Sequence, residues 1–172
     1  MVPPDRQRQT CVPAQCHGDH GVLDLDGALR ESCVSYFRQT ARVLGTERMA
    51  RGLAQLGYPY SGTLEPPDGF WLEGKLRVTP EGQLRWIRRF YTEHMGVSPE
   101  HLAQVRKASE RPAPEAFTLH GKTGSSREGH GWFIGQITQK GVPVWCVLLI
   151  RGKGASGLEA ERRLKALLPR VS

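Results

Sequence analysis

The sequence H-G-K-T-G-S-S at residues 120–126 closes the first of three apolar segments near the end of the chain, and these segments decide the fold. They cover residues 116–122, 131–138 and 144–151, with linkers short enough for antiparallel hairpins. We therefore predict three neighbouring strands, with the Lys-Thr-Gly triplet at the end of the first. Gly-rich polar triplets also form ordinary turns, so the meaning of this one depends on its companions.

Helical patterns lie on both sides of the three strands. Apolar residues recur at spacings of three and four over residues 24–44, interrupted around Ser32, which predicts two helical pieces with a break there. Thr46 is predicted to cap a further helix. Ser156 is predicted to cap a last helix at residues 158–168, whose leucines would face the sheet: Leu164, Leu167 and Leu168.

Two more helix starts use the same device. The sequences T-P-E at residues 79–81 and S-P-E at residues 98–100 each provide a capping oxygen, a proline and an acid in the first turn. They predict helices at residues 80–95 and 99–110, the first with an inward stripe of Leu84, Ile87 and Phe90. Helices, then hairpin strands, then a terminal helix indicate an α+β fold, an antiparallel sheet flanked by helices.

Length and charge restrict the class of protein. A chain of 172 residues fits one domain with a single core. Lys and Arg number 24 against 17 Asp and Glu, giving a net charge of +7, but the basic residues are scattered. The run W-I-R-R-F-Y at residues 86–91 is nearest to a nucleic-acid-binding pattern. Its apolar residues have helical spacing, so we predict a core stripe and no nucleic-acid partner. The alternative hypothesis, a basic nucleic-acid-binding protein, is supported by the net charge alone.

The start of the chain shows no targeting pattern. No apolar run approaches the roughly 18 residues needed to cross a bilayer, and no apolar segment follows the basic start. We predict no membrane span, and a cytoplasmic location for the chain as given. Residues 1–21, rich in Pro, Gln, His and Gly, are predicted to be a disordered or non-native leader, and residues 22–172 a partial domain.

The cysteines do not indicate a disulfide framework. Four cysteines in a chain of this size are not enough for one, although Cys11 and Cys16 could pair in an exported protein. With His17 and His20 they resemble a zinc ligand set in residue type, but their spacing matches no common zinc finger. We predict no metal and no cofactor.

Four further segments gain meaning when they are taken together. S-C-V at residues 32–34 has its serine 90 positions before Lys122, Y-P-Y occupies residues 58–60, F-W-L-E-G residues 70–74, and G-W-F-I-G residues 131–135. With Lys-Thr-Gly, these segments resemble the motifs of class D (oxacillinase-type) serine β-lactamases and of the related sensor domains of penicillin-binding receptors. The resemblance implies a β-lactam or peptidoglycan-like ligand, and a periplasmic or secreted location for the family.

The same resemblance implies a role for each matching residue. Ser32 would relay a proton to the leaving nitrogen of the β-lactam amide. Lys122 would offer positive charge and Thr123 a hydroxyl to the substrate carboxylate. In the family an arginine past the last strand usually completes carboxylate binding, and Arg162 or Arg163 is nearest to that position here. The backbone N–H of Ser125 would supply half of an oxyanion hole. We thus predict Ser32 and Lys122 as catalytic, and as substrate-binding Thr123, Gly124, Ser125, Trp71, Leu72, Val34 and Arg162.

The chain departs from the family at the motif S-x-x-K, which supplies the nucleophile and the general base. No serine in the 172 residues has a lysine three positions later; Ser35 comes nearest with Arg38, which cannot act as a base near neutral pH. Y-P-Y also replaces the family's Y-G-N. We therefore predict the C-terminal portion of the family domain, truncated at the N-terminus, that is catalytically incompetent as given. The alternative is a non-catalytic β-lactam- or peptide-binding, sensor-type module.

In the family, Trp71 and Leu72 would lie against the modified catalytic lysine and keep its surroundings apolar. Without the helix that bears S-x-x-K, these side chains and Val34 would face a void or solvent. We therefore expect an exposed apolar patch and a low solubility.

Overall fold

The computed structural model describes residues 8–12, 19–72, 74–93 and 95–168. Within these residues the chain forms two compact units. Unit 1 contains the described residues up to Arg77 together with Gly96–Ala108, and unit 2 contains Val78–Met95 together with the described residues from Ser109 onwards. The single core expected from the chain length is replaced by one buried cluster of side chains in each unit.

Unit 1 is mainly helical. Two short antiparallel strands, β1 and β2, come first, followed by three helices, α1 to α3, and later by α5. Their bounds are β1 Gln9–Thr10, β2 Val22–Leu23, α1 Leu25–Glu31, α2 Val34–Leu44, α3 Thr46–Gln55 and α5 Pro99–Ala108.

The part of the predicted leader that the structure describes belongs to unit 1 and packs within it. Gln9 pairs with Leu23 in the β1–β2 ladder, and the N–H of Cys11 donates to the carbonyl of Gly21 at 2.7 Å. The Cys11 side chain is 4% exposed. Composition alone suggested disorder here because the single apolar side chain that anchors the segment has no periodic neighbours. Residues 1–7 and 13–18 lie outside the described residues.

Side chains cap two of the helices in unit 1, and the predicted cap of a third is wrong. Asp24 caps α1 by accepting the N–H of Gly27 at 2.8 Å, and Ser98 accepts the N–H of His101 at 3.3 Å at the start of α5. Thr46 does not cap α3 as predicted: it is the first helical residue, and Gly45, with φ 77°, occupies the cap position. Its φ lies in a region that glycine adopts without strain.

Unit 2 contains the sheet. Its strands lie in the order β3-β4-β5-β6 and every neighbouring pair is antiparallel. The element bounds are α4 Pro80–Thr92, β3 Glu110–Arg111, β4 Phe117–Ser126, β5 His130–Gln139, β6 Val142–Arg151 and α6 Gly157–Leu167. The three predicted strands are confirmed, and β4 runs four residues beyond its predicted end, so the Lys-Thr-Gly triplet lies inside the strand.

Helices cover both faces of this sheet. The sheet core, which we define by its buried side chains, joins one face to α6: Leu119, Phe133, Ile137, Ala160, Leu164 and Leu168. Strand alternation puts His120 and Trp145 on the opposite face, where they contact Tyr91 and Arg88 of α4. The predicted fold class, an α+β arrangement with an antiparallel sheet flanked by helices, is confirmed.

Two leucines differ from the predicted inward stripes. Leu84 of α4 is 41% exposed and Leu167 of α6 is 48% exposed, whereas Ile87 is buried. The reason is geometric: only part of each helix surface meets the sheet, and a leucine at the margin of the stripe stays in contact with water. Across the described part of the chain, no helix has both the length and the apolar character needed to cross a membrane.

Candidate functional site

Ser32 lies in unit 1 at the junction of α1 and α2, as the sequence predicted. Its backbone is left-handed, with φ 54° and ψ 42°, which is uncommon for a residue other than glycine. The N–H of Cys33 turns back to the carbonyl of Ala28 at 2.9 Å, and Cys33 is the cap residue of α2. The break therefore places the Ser32 side chain between two helix ends, half-buried, next to Val34 at the start of α2.

Trp71 and Leu72 also lie in unit 1, on the segment that follows Asp68. Nε of Arg42 on α2 donates to Oδ2 of Asp68 at 2.6 Å, which fixes the start of this segment against α2. Phe70 is buried and its ring meets that of Trp71 edge to face at 4.9 Å. Trp71 and Leu72 are 36% and 39% exposed, so much of their apolar surface contacts water.

The Lys-Thr-Gly triplet lies in unit 2, in β4. Nζ of Lys122 donates to the carbonyl of Thr123 at 3.0 Å and lies 3.5 Å from its Oγ1. Lys122 pairs across the ladder with Ile134 of β5. The ammonium and the Thr123 hydroxyl are therefore close enough to act on the same anionic group.

The first turn of α6 lies directly behind the triplet. Oγ of Ser125 accepts the N–H of Gly157, the first residue of α6, at 2.9 Å. A Cβ at position 157 would lie 2.7 Å from the backbone N of Gly124 and 2.8 Å from Cβ of Thr123, closer than real Cβ contacts allow. Only glycine fits at position 157, and this lets the helix end approach the strand backbone.

Burial changes the acidity of the central lysine. Burial first, and then the nearby charge of Arg111, lower the pKa of Lys122, while Glu161 partly opposes both effects; the resulting pKa is about 8. Lys122 is thus charged at neutral pH but loses its proton more easily than an exposed lysine does.

Sequence reasoning missed the ion pairs next to this lysine. Glu161 of α6 is 4% exposed, and its carboxylate forms ion pairs with Nη2 of Arg111 at 2.6 Å and with Nζ of Lys165 at 2.7 Å. Burial alone would raise the pKa of Glu161, but these hydrogen bonds hold it below its usual value. The signal that the sequence offers is an acid inside the apolar stripe of α6, next to Ala160 and Leu164.

Arg162 has a different environment from that expected of a carboxylate ligand. Its Nε and Nη2 both donate to the carboxylate of Glu159 at 2.7 Å, and its side chain is 69% exposed. Arg163 donates to the same carboxylate at 2.7 Å. The guanidinium of Arg162 is thus already paired with the carboxylate of Glu159, and substrate binding by Arg162 stays a prediction.

The predicted residues are divided between the two units. Unit 2 brings together Lys122, Thr123, Gly124 and Ser125 at the start of α6, whereas unit 1 holds Ser32, Val34, Trp71 and Leu72. A groove of about 400 Å³ between α4 and β6 contains none of them; it is lined by Leu84, Arg85, Arg88, Pro143, Val144 and Trp145. Among the described residues no cluster of three His, Cys, Asp or Glu side chains could hold a metal, and Cys16 and His17 lie outside them.

A Lys-Thr-Gly strand inside an antiparallel sheet, with a C-terminal helix directly behind it, defines the class of penicillin-interacting serine-enzyme folds that the motifs predicted. Residues 7–168 match the penicillin binding protein transpeptidase domain, and the chain belongs to this family. The match begins earlier than the boundary predicted at residue 22.

The relatives and structural neighbours of the chain include class D β-lactamases and a regulatory protein. It is 31% identical over 124 residues to β-lactamase OXA-10 of Pseudomonas aeruginosa, covering 69% of this chain and 47% of that one. It is 27% identical to the regulatory protein BlaR1 of Bacillus licheniformis over 150 residues, 84% of this chain and 25% of that one. The structure of class D β-lactamase BAT-2 matches with a TM-score of 0.80 and 27% identity, over 87% of this chain and 62% of that one. The chain spans about half the length of the curated β-lactamases it matches.

Proposed function

We propose that this chain is a class D β-lactamase-like domain that holds the carboxylate of a β-lactam, or of a peptidoglycan-like ligand, through Lys122 and Thr123. We further propose that these 172 residues bind the ligand without hydrolysing it. The observation that carries the proposal is the position of Lys122: the lysine is in β4, with its Nζ 3.5 Å from the Thr123 hydroxyl and its pKa lowered by burial to about 8.

The binding step follows from charge and geometry. A charged ammonium and a hydroxyl that converge on one point can both donate to a carboxylate, and hydrogen bonds to a charged group are about twice as strong as neutral ones. Partial burial of Lys122 strengthens the attraction because water screens the charge less there. The N–H of Ser125, on the same strand, would polarise the amide carbonyl of a bound β-lactam.

The chemical step would need a nucleophile beyond these groups. Ser32 suits a proton relay, since it lies half-buried at a break between two helices. It has no lysine at the spacing of S-x-x-K, and neither has any other serine of the 172 residues. Without an activated nucleophile no acyl-enzyme forms, and the remaining groups supply only binding and polarisation.

Intact mass spectrometry after incubation with benzylpenicillin tests the chemical step. We expect an unchanged mass, while a class D β-lactamase that contains S-x-x-K, treated alongside under conditions that trap its acyl-enzyme, gains one drug molecule. A mass gain that maps to a serine of this chain would contradict the proposal, because it would identify an active nucleophile.

Calorimetric titration with benzylpenicillin tests the binding step. Lys122→Ala should weaken binding about 10- to 100-fold, the loss of one charge-assisted contact. The matched control is Lys153→Ala, an exposed lysine of the same unit, which should leave affinity unchanged. Affinity should also fall as the pH rises through about 8, where Lys122 loses its proton. Equal affinities of the two variants would exclude the lysine contact.

A second candidate function is a non-catalytic sensor-type module. The similarity to the regulatory protein BlaR1, over 84% of this chain, favours it. Such a module would bind a penicillin, or a peptidoglycan-like peptide, and would be stabilised by it without turnover. A rise in Tm with the peptide but not with benzylpenicillin would favour peptide sensing over a β-lactamase-derived site.

A further inference from the structure

We propose that Cys11 and Cys33 form a disulfide when the protein meets a disulfide oxidant, and that this bond fastens strand β1 to the helix break at Ser32. The two Sγ atoms lie 3.4 Å apart although the residues are 22 positions apart in the chain. Cys11 is 4% exposed and Cys33 is fully buried. This pair differs from the Cys11–Cys16 pair that the sequence suggested, and it is independent of β-lactam binding.

The surroundings of the two thiols hold them in this arrangement. Oγ of Ser35, which is fully buried, accepts the N–H of Val12 at 3.0 Å and lies 3.3 Å from Sγ of Cys33. The N–H of Cys11 is bound to the carbonyl of Gly21. The segment that bears Cys11 is therefore held at two consecutive residues, Cys11 to Gly21 and Val12 to Ser35 of α2, and the thiols stay in contact while these bonds persist.

Bond formation requires a small movement. The S–S bond is about 2.05 Å long, so the sulfur atoms must approach by about 1.4 Å, which side-chain rotation can supply. β1 has only two residues, and a two-stranded ladder of this size opens readily, which gives an oxidant access to Cys11.

The reaction is ordinary thiol–disulfide exchange, with oxidised glutathione as the oxidant. The Cys11 thiol loses its proton and attacks one glutathione sulfur, which releases one reduced glutathione and leaves a mixed disulfide on Cys11. The Cys33 thiolate then attacks Sγ of Cys11 and displaces the second reduced glutathione. The protein loses two protons and two electrons in total, and the glutathione disulfide takes up both pairs to become two molecules of reduced glutathione.

The bond would act on the segment that carries a predicted site residue. Cys33 directly follows Ser32 and is the cap residue of α2, so a covalent link at Cys33 restrains the left-handed backbone of Ser32. It also closes a loop of 22 residues, which reduces the freedom of the unfolded chain. The oxidised protein should therefore melt on the order of 5 to 10 °C above the reduced protein.

Peptide mapping tests the pairing. The Cys16→Ser variant of the full chain is incubated with oxidised glutathione without denaturant, digested with trypsin and examined without reduction. Cleavage after Arg8, Arg30 and Arg38 gives peptides 9–30 and 31–38, which then contain only Cys11 and Cys33. We expect the two peptides to be linked. A persistent glutathione adduct, or unlinked peptides, would overturn the proposal.

Two further measurements keep the test decisive. If the Cys16→Ser variant does not fold, fragmentation of the linked peptides from the unmodified chain shows whether Cys33 is bonded to Cys11 or to Cys16, and the second result would overturn the proposal. Cys33→Ser should abolish both the link and the rise in Tm on oxidation. Cys146→Ser, which changes the cysteine of β6, should keep both.

Discussion

The two units arrange their buried apolar residues differently. In unit 2 the sheet core contains Phe133 and Leu119, which are 0% and 1% exposed, with α6 covering them. In unit 1 the buried cluster is smaller: Cys11, Ala28, Cys33 and Tyr36. Trp71 and Leu72 of the same unit stay more than a third exposed. The half that holds the Lys-Thr-Gly strand buries its apolar side chains in one cluster between the sheet and α6. The half that holds Ser32 has a smaller cluster, and others of its buried apolar residues lie outside that cluster: Leu64, Phe70 and Leu102.

This difference explains how each half holds its site residues. Lys122 lies in the middle of a ten-residue strand that pairs along its whole length with β5. Ser32 occupies a single left-handed position between two helices. Loss of a few contacts should therefore disturb the surroundings of Ser32 long before those of Lys122.

The largest expected effect is a truncation in the sheet core. Phe133→Ala should lower the free energy of unfolding by about 3 to 5 kcal/mol, since it removes a fully buried ring and leaves a cavity. Trp71→Ala in unit 1 should lower it by only about 1 kcal/mol because the indole is already partly hydrated. Urea denaturation measures both. Similar losses would remove the contrast between the two units.

The second prediction concerns the buried carboxylate of α6. Glu161→Gln removes the partner of Arg111 and Lys165 and should cost about 3 kcal/mol. The control is Glu159→Gln on the same helix, whose partners Arg162 and Arg163 are mostly exposed and which should leave the urea midpoint nearly unchanged. The contribution of Glu161 is present above its unfolded pKa and is lost as the pH falls through its lowered folded pKa. A midpoint for Glu161→Gln that equals that of the control would disprove this role.

The third prediction uses the depressed pKa of Lys122. Its folded pKa of about 8 lies below the ordinary 10.5, so the unfolded chain binds more protons between these values and stability should rise with pH across this window. The rise should be roughly 2 to 3 kcal/mol. Lys122→Met should abolish it and should already be more stable at pH 7, while Lys153→Met should keep it. A pH profile of Lys122→Met that matches the unmodified chain would show that the ammonium is well solvated.

The smallest expected effect concerns the link between β4 and α6. Ser125→Ala removes the oxygen that accepts the N–H of Gly157 and should cost about 1 kcal/mol. Thr118→Ala, an exposed position on the same strand, is the matched control and should cost clearly less. Thermal unfolding of the two variants measures the difference; equal Tm values would mean that water replaces the Ser125 oxygen.

The sequence predicted those features that depend on local chemistry. The T-P-E start of α4 is confirmed in detail, with Thr79 accepting the N–H of Gly82 at 3.1 Å. The break at Ser32 is confirmed too, and so are the three long strands. In each case a cap, a periodic stripe or a breaker lies within a few residues of the structure that it produces. The fold class and the family followed from these signals and from short motifs.

Contacts between distant residues could not be predicted in the same way. Arg111 and Glu161 are 50 residues apart, and Cys11 and Cys33 are 22 residues apart. No local pattern connects either pair, because the chain path that brings them together is set by the sheet order in one unit and by the β1–β2 ladder in the other. The roles of Ser32, Lys122 and the substrate-binding residues stay predictions that rest on the resemblance.

The close approach of Gly157 to Gly124 has a consequence for mutational surveys of this protein. Thirty-three positions separate the two glycines, and a search for the Lys-Thr-Gly motif detects Gly124 but not Gly157. In a saturation screen, however, every replacement at position 157 would push a side chain into the backbone of the Lys-Thr-Gly strand from behind. Such variants would weaken the ligand binding that we propose for this strand while leaving every residue of the motif unchanged, and a survey that scores the motif alone would classify them as intact.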